Sequence, residues 1–171
     1  MLPGPAACGL ACPTTDSPER VTPMYQRLVY VSLAAPGLAA RDTYDIIRVA
    51  TNRNSQLGLT GALLFLDGYF VQLLEGQPHP VQRRFERISA DPRHHSVSLR
   101  LTLSTPELLF PDDWMALRNE SQIAPGVKQA FGYQPGLPEA DFDADRIVRF
   151  LLACCGRPLP ASLGQLAQAA G

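Results

Sequence analysis

Residues 59–75, LTGALLFLDGYFVQLLE, contain two apolar segments that meet at Asp67 and Gly68. Both residue types tolerate the positive φ angles that a type I′ turn requires, so the segment predicts a β-hairpin. The second strand carries one polar side chain, Gln72, between large apolar neighbours. A buried amide without hydrogen-bond partners costs about 1–3 kcal/mol, so the sequence predicts a specific partner for Gln72.

Further elements are predicted on both sides of this hairpin. RLVYVSL, residues 27–33, is β-branched and aromatic and predicts a first strand, and a helix is expected from Asp42 to Asn54. A second helix is expected from Pro80 to Ala90, followed by a fourth strand over residues 96–104, where apolar and polar residues alternate. WMALR, residues 114–118, is a candidate fifth strand.

The order β-α-β-β-α-β-β predicts an α+β fold, a ferredoxin-like sandwich with a mixed five-stranded sheet, two helices on one face and a C-terminal helical cap. In this fold the first and third strands are neighbours, which places Tyr30 and Gln72 side by side on one face. If the helices cover that face, Tyr30 supplies one partner for the amide. The remaining donors and acceptors of Gln72 then require a polar group inserted between the helices.

Composition divides the chain into three segments. Residues 1–23 contain five prolines and few large apolar side chains, which is typical of a disordered tail. A compact domain is expected over residues 24–118. Residues 119–171 predict a linker and a C-terminal helical extension, with an amphipathic helix over 143–156 and a shorter helix over 161–170.

Charge and cysteine content argue against several kinds of partner. Fifteen basic and sixteen acidic residues give a net charge of -1, without the Lys/Arg cluster that binds nucleic acid. No apolar run approaches the roughly 18 residues that span a bilayer, and the N-terminus lacks a signal-peptide pattern, so a cytoplasmic protein without membrane contact is expected. The spacing of Cys8, Cys12, Cys154 and Cys155 matches neither a disulfide framework nor a structural zinc module.

Four short motifs occur in an order and spacing that resemble one known family. They are LVYVS with Tyr30, NSQLGLTG with Asn54, FVQLLEG with Gln72, and DPRHHSV with Arg93 and His94. Over residues 25–117 the chain resembles the BLUF family, the blue-light sensors using FAD. The resemblance implies that the isoalloxazine ring of FAD lies between the two helices, with the glutamine bridging the ring and the tyrosine.

The resemblance also implies a photochemical role for two residues. Light would drive an electron, and then a proton, from Tyr30 towards the flavin, and Gln72 would end rotated or tautomerised. Its changed donor pattern would strengthen the bond to the flavin C4 carbonyl, which shifts the absorption to the red. Without the family match, Tyr30 would be interpreted as a core aromatic residue.

Other side chains acquire candidate cofactor contacts from the same resemblance. Asn54 is expected to contact the carbonyl and N3–H edges of the flavin, and Ile47 and Arg53 are candidates for holding the cofactor. Arg93 and His94 are expected on the ribityl or phosphate side. Each has a plainer alternative, since asparagine is common at helix C-termini and the two basic residues could be solvated charges.

The segment FPDDWM, residues 110–115, departs from the family pattern F-x-x-W-x-M. Asp113 stands where tryptophan is usual, and Trp114 follows one place later. Because a shift of one residue reverses the face of a strand, either a bulge returns Trp114 to the flavin side or only Met115 faces it. Met115 is the favoured candidate for a photoactive contact that passes on the change at Gln72.

The resemblance predicts a blue-light photoreceptor that is not an enzyme, because residues 119–171 leave no room for an effector such as a cyclase. The expected partners are the flavin, an unidentified downstream protein and further copies of the chain in a homo-oligomer. The C-terminal helix is either a passive cover or a light-responsive cap. A light-independent ferredoxin-like adaptor without functional flavin is the alternative function, and an acylphosphatase-like hydrolase lacks a phosphate-binding loop and a nucleophile.

Overall fold

The first seven strands and helices follow the predicted order β-α-β-β-α-β-β. The computed structural model describes residues 24–38, 40–160 and 163. The elements are β1 (Tyr25–Ala34), α1 (Ala40–Leu57), β2 (Thr60–Leu66), β3 (Tyr69–Gly76), α2 (Pro78–Ser89), β4 (His94–Thr105), β5 (Ala116–Asn119), a 3-10 turn (Glu120–Gln122), α3 (Val127–Ala130) and α4 (Ala144–Cys154). The predicted tail over 1–23 and, apart from Leu163, the predicted helix over 161–170 lie outside the described residues.

The strands form one mixed sheet in the order β4-β1-β3-β2-β5. β1 lies antiparallel between β3 and β4, and β2 pairs antiparallel with β3. β5 is added at the edge, parallel to β2. The hairpin turns at Asp67 and Gly68, whose φ angles of 49° and 79° are the positive values that this turn needs. The predicted ferredoxin-like fold class is confirmed.

The sheet separates two apolar cores. On the first face, α1 and α2 cover side chains of the three central strands. On the second face, α4 packs its apolar stripe, which includes Ile147, Val148 and Leu151, against β1, β2 and β3. Asp143 begins α4, because its carboxylate accepts a hydrogen bond from the Arg146 backbone N–H at 2.7 Å. The C-terminal segment thus covers a sheet face that water would otherwise contact.

Several element boundaries differ from the predicted ones. α1 continues from residue 54 to Leu57, because the helix ends only where Gly58 adopts a left-handed φ of 64°. α2 begins at Pro78 rather than Pro80, since proline is well suited to the first helical turn. β4 begins at His94 rather than at residue 96, which places His94 inside the sheet next to β1. β5 begins at Ala116, two residues later than predicted.

The described ranges define helix hydropathy, the grouping of potential metal ligands and the state of two thiols. No helix there is long and apolar enough to cross a membrane. No group of three potential metal-ligating side chains occurs among the same residues. Cys154 and Cys155 are free thiols, and burial raises their pKa values to about 12 and about 11, so both stay protonated at neutral pH.

Candidate functional site

Tyr30 and Gln72 are hydrogen-bonded under the two helices. The register of β1 and β3 sets them directly opposite each other, and both side chains are buried. The Tyr30 hydroxyl donates to Gln72 Oε1 over 2.5 Å. Burial raises the pKa of the Tyr30 phenol, so the hydroxyl keeps its proton and remains the donor. The predicted pairing of the buried amide with this tyrosine is confirmed.

The other end of the Gln72 amide contacts Met115. Gln72 Nε2 lies 3.3 Å from Met115 Sδ, a weak acceptor. Met115 is 8% exposed, whereas Trp114 is 46% exposed and precedes β5. Within the segment FPDDWM, Met115 therefore lies against Gln72, whereas Trp114 is largely exposed.

Asn54, in the last turn of α1, has one satisfied and one unsatisfied polar atom. Its Nδ2 donates to the backbone carbonyl of Trp114 at 3.1 Å, which connects α1 to the segment before β5. Its Oδ1 is buried and has no hydrogen-bond partner among the described residues. Since an unsatisfied buried acceptor costs about 1–3 kcal/mol, this oxygen indicates a ligand that donates a hydrogen bond.

Arg93 and His94 occupy different environments. Arg93 is held by Asp91, with Nε at 2.9 Å and 3.1 Å from the two carboxylate oxygens and Nη2 at 2.5 Å from one of them. His94 is buried, with its ring centroid 4.6 Å from that of Phe70 and its Nδ1 2.9 Å from Ser32 Oγ. Burial lowers the pKa of His94 to about 4, so the imidazole is neutral at pH 7. The alternative of a solvated charge is wrong for His94.

Two adjacent clefts lie between α1 and α2 in the described part of the chain. The inner cleft has a volume of about 50 Å³ and is lined by Tyr30, Ile46, Val49, Ala50, Arg53, Leu63, Gln72, Arg84, Arg87, Ile88, Asp91, Arg93 and His94. The outer cleft has a volume of about 540 Å³ and is lined by Arg53, Gln56, Leu57, His79, Pro80, Arg83, Arg84 and Arg87. Three arginines thus border both clefts, including the predicted site residue Arg53. The side chain of Ile47 lies outside the described part of the structure.

Arg84 was not among the predicted site residues. It is buried on α2, and its Nε has no hydrogen-bond partner among the described residues. Burial lowers the pKa of its guanidinium group. The sequence did contain a signal, because Arg84 follows Val81 by three residues and precedes Ile88 by four, and both of those residues are buried.

Comparisons of sequence extend these observations. The model of the BLUF family, sensors of blue-light using FAD, matches residues 25–116. Photoactivated adenylate cyclase subunit beta of Euglena gracilis is 39% identical over 87 residues, which are 51% of this chain and 10% of that protein. The blue light- and temperature-regulated antirepressor BluF of Escherichia coli is 34% identical over 74 residues, which are 43% of this chain and 18% of that protein. The chain therefore spans less than a fifth of these relatives.

Solved structures show the same fold. BlrB, a BLUF protein in its dark state, superposes with a TM-score of 0.62 at 28% identity, over 77% of this chain and 98% of BlrB. The ground state of BlsA gives a TM-score of 0.65 at 26% identity, over 80% of this chain and 91% of BlsA. Because the family match covers more than half of the sequence and includes both members of the buried Tyr30–Gln72 pair, the chain belongs to the BLUF family, the sensors of blue light using FAD.

Proposed function

We propose that this chain is a blue-light receptor in which Tyr30 and Gln72 respond to light absorbed by bound FAD. The observation that carries the proposal is the continuous buried contact from the Tyr30 hydroxyl through the Gln72 amide to Met115. An adaptor without flavin would need this buried polar contact only for packing, where apolar side chains would serve as well.

The residues between the helices fit a flavin chemically. Asn54 Oδ1 needs a donor, and the N–H edge of a flavin ring supplies one. Apolar side chains of α1, α2 and β2 line the inner cleft and suit a flat aromatic ring. Its 50 Å³ are far below the roughly 300–1,000 Å³ of typical ligand pockets, so side chains or helices must move apart when a ring binds. Ile47, Arg53, Arg93 and His94 remain predicted contacts of the cofactor.

Tyr30 is placed to give up an electron, and its hydrogen bond to Gln72 offers a path for a proton. FAD, when bound, supplies the absorption of blue light and an acceptor for the electron. We propose that Tyr30 would be the electron donor, that its hydroxyl proton would pass to Gln72 Oε1 while an amide N–H proton passes on to the ring, and that an electron and a proton would return to Tyr30 on recombination. Recombination would leave Gln72 turned or tautomerised, because protons have passed through both its oxygen and its nitrogen. A turned amide presents oxygen to Met115 Sδ in place of N–H, which removes that hydrogen bond.

We propose that residues 106–115 carry this change to the C-terminal segment. Met115 ends this loop, and the Asp113 carboxylate in the same loop pairs with the Arg157 guanidinium, just beyond α4. The Arg157 guanidinium also lies 5.3 Å from the centre of the Phe110 ring. These contacts favour a light-responsive cap over a passive cover. Within this proposal, residues 24–118 form the flavin-binding domain and residues 119–171 pass the signal to a downstream protein or to a homo-oligomer.

Absorption spectroscopy of the purified chain tests the proposed function. We expect protein with bound yellow flavin, an absorption that shifts to the red under blue light, and recovery of the original spectrum in darkness. Colourless protein from cells supplied with ample riboflavin, or flavin-bound protein without a reversible shift, would support the adaptor instead.

The Asp113→Asn variant tests the route to the C-terminal segment. We expect the red shift to persist, because Asp113 has no contact with Gln72, while the light-induced change in hydrogen exchange of α4 becomes smaller. The half-exposed pair with Arg157 contributes about 1 kcal/mol or less, so the fold should stay intact. Asp112→Asn, a neighbouring exposed carboxylate, is the matched control. Equal light-induced exchange in α4 in both variants and in the unmodified chain would contradict the route.

A further inference from the structure

Arg84 carries a largely buried positive charge that no carboxylate among the described residues pairs with. The residue is 8% exposed, and its Nε lacks a hydrogen-bond partner in the described part of the chain. Asp91 is the carboxylate whose charge acts on Arg84, but Asp91 is already held by Arg93 through three short contacts. A buried charge without a paired carboxylate is unfavourable, so this arrangement favours the binding of an anion beside Arg84.

Three further arginines surround the same space. Arg53, Arg83 and Arg87 line the outer cleft together with Arg84, and none of the described residues that line this cleft is a carboxylate. The positive charges of Arg53 and Arg87 lower the pKa of Arg84, as expected when like charges crowd together. The whole chain has a net charge of -1, so this positive region is local. A ligand with at least one full negative charge would neutralise it.

We propose that Arg84 is a specificity-determining residue that pairs with the phosphate groups of the cofactor, so that the chain selects FAD and FMN over riboflavin. This inference rests on the proposed function only in taking a flavin as the ligand. The oxidised flavin ring has no net charge, whereas the diphosphate of FAD is strongly anionic. Guanidinium groups bind phosphate oxygens in pairs and with high directionality, which suits this assignment.

The geometry of the two clefts favours the phosphate groups, and not the flavin ring, as the partner of Arg84. The polar amide of Gln72 lines the inner cleft, where the edge of a ring needs donors and acceptors. Guanidinium groups line the outer cleft, which is more than ten times larger. Arg84 borders both clefts, so its side chain lies where a ligand that extends from the inner cleft into the outer one would pass.

Competition among flavins tests the proposal. The full chain is loaded from an equimolar mixture of riboflavin, FMN and FAD, and the bound flavins are released and quantified. We expect the unmodified chain to prefer the phosphorylated flavins, and Arg84→Met to lower that preference by about 10- to 100-fold, the usual effect of charge-assisted hydrogen bonds. Arg84→Lys should restore part of the preference. Arg48→Gln, which removes an exposed arginine paired with Asp45 outside both clefts, should leave it unchanged.

A second measurement does not depend on flavin. Inorganic pyrophosphate should raise the melting temperature of the flavin-free chain and should have a smaller effect on Arg84→Met. That variant should also melt higher than the unmodified chain without added anion, because methionine removes the unpaired charge.

Three outcomes would overturn the assignment. They are an unmodified chain without preference for phosphorylated flavins, an unchanged preference in Arg84→Met, and an equal loss of all three flavins in that variant. The last outcome would mean that Arg84 contacts the flavin ring or supports the fold, and that it does not bind phosphate. A chain that shows the reversible red shift but no preference would refute this inference and leave the photoreceptor function intact.

Discussion

The Tyr30→Phe variant is expected to retain bound flavin and to lose the reversible red shift completely. Phenylalanine keeps the ring that packs against Phe85, with centroids 5.6 Å apart, so the first core should remain intact. Only the hydroxyl is lost, and with it both the proposed electron and proton donor and the 2.5 Å bond to Gln72. The measurement is the absorption spectrum of the purified variant before, during and after blue light.

Two further variants make this result specific to Tyr30. Tyr69→Phe makes the same change on β3, where the side chain packs in the second core, and it should keep a normal red shift. Gln72→Leu keeps Tyr30 but removes the amide, so the spectrum in darkness should already differ from that of the unmodified chain. A normal red shift in Tyr30→Phe would refute the donor role, and an unaltered dark spectrum in Gln72→Leu would count against the bridge.

The Tyr30–Gln72 pair at the centre of this site could be predicted from the sequence, because two general rules of sheet structure are enough to place it. The period of two along each strand fixes which side chains share a face, and the crossover rule makes β1 and β3 neighbours. Those two rules place Tyr30 beside Gln72, and the structure pairs them in register. The turn at Asp67 and Gly68 was equally predictable, because its chemistry is local.

Other parts of the site depend on contacts that no local pattern encodes. Arg84 was missed because charged side chains are mostly exposed in proteins, although its spacing from Val81 and Ile88 placed it on the buried side of α2. The link between Asp113 and Arg157 joins residues 44 positions apart. Its existence depends on how the C-terminal segment packs on the second face, which composition and periodicity do not determine.

Glu75 anchors the loop that carries Met115. The side chain is buried at the end of β3, where its Oε1 accepts a hydrogen bond from Arg27 Nε at 2.6 Å. Its Oε2 accepts from the backbone N–H groups of Leu109 and Phe110 at 2.8 Å and 3.1 Å. Arg27 in turn donates to the carbonyl of Glu107 at 2.9 Å. One buried ion pair therefore holds residues 107–110 against β1 and β3.

The Glu75→Ala variant is expected to lower the free energy of unfolding by about 3–5 kcal/mol, because it leaves the Arg27 charge buried and unpaired. Typical domains have only about 5–15 kcal/mol in total, so this is a large loss. For a chain of this size it corresponds to a decrease of roughly 6–20 °C in melting temperature. Thermal and urea unfolding of the flavin-bound protein measure it.

The double variant Arg27→Met/Glu75→Gln separates the buried charge from the anchoring of the loop. It contains no unpaired charge, and the glutamine oxygen can still accept from one backbone N–H, so it should be more stable than Glu75→Ala. In Glu75→Ala the loop loses its anchor at 109–110, and the contact of Met115 with Gln72 should be less populated. The light-induced change in hydrogen exchange of α4 should then be smaller in Glu75→Ala than in the double variant. If Glu75→Ala unfolds within about 1 kcal/mol of the unmodified chain, the ion pair does not anchor the loop and this reasoning about Met115 is wrong.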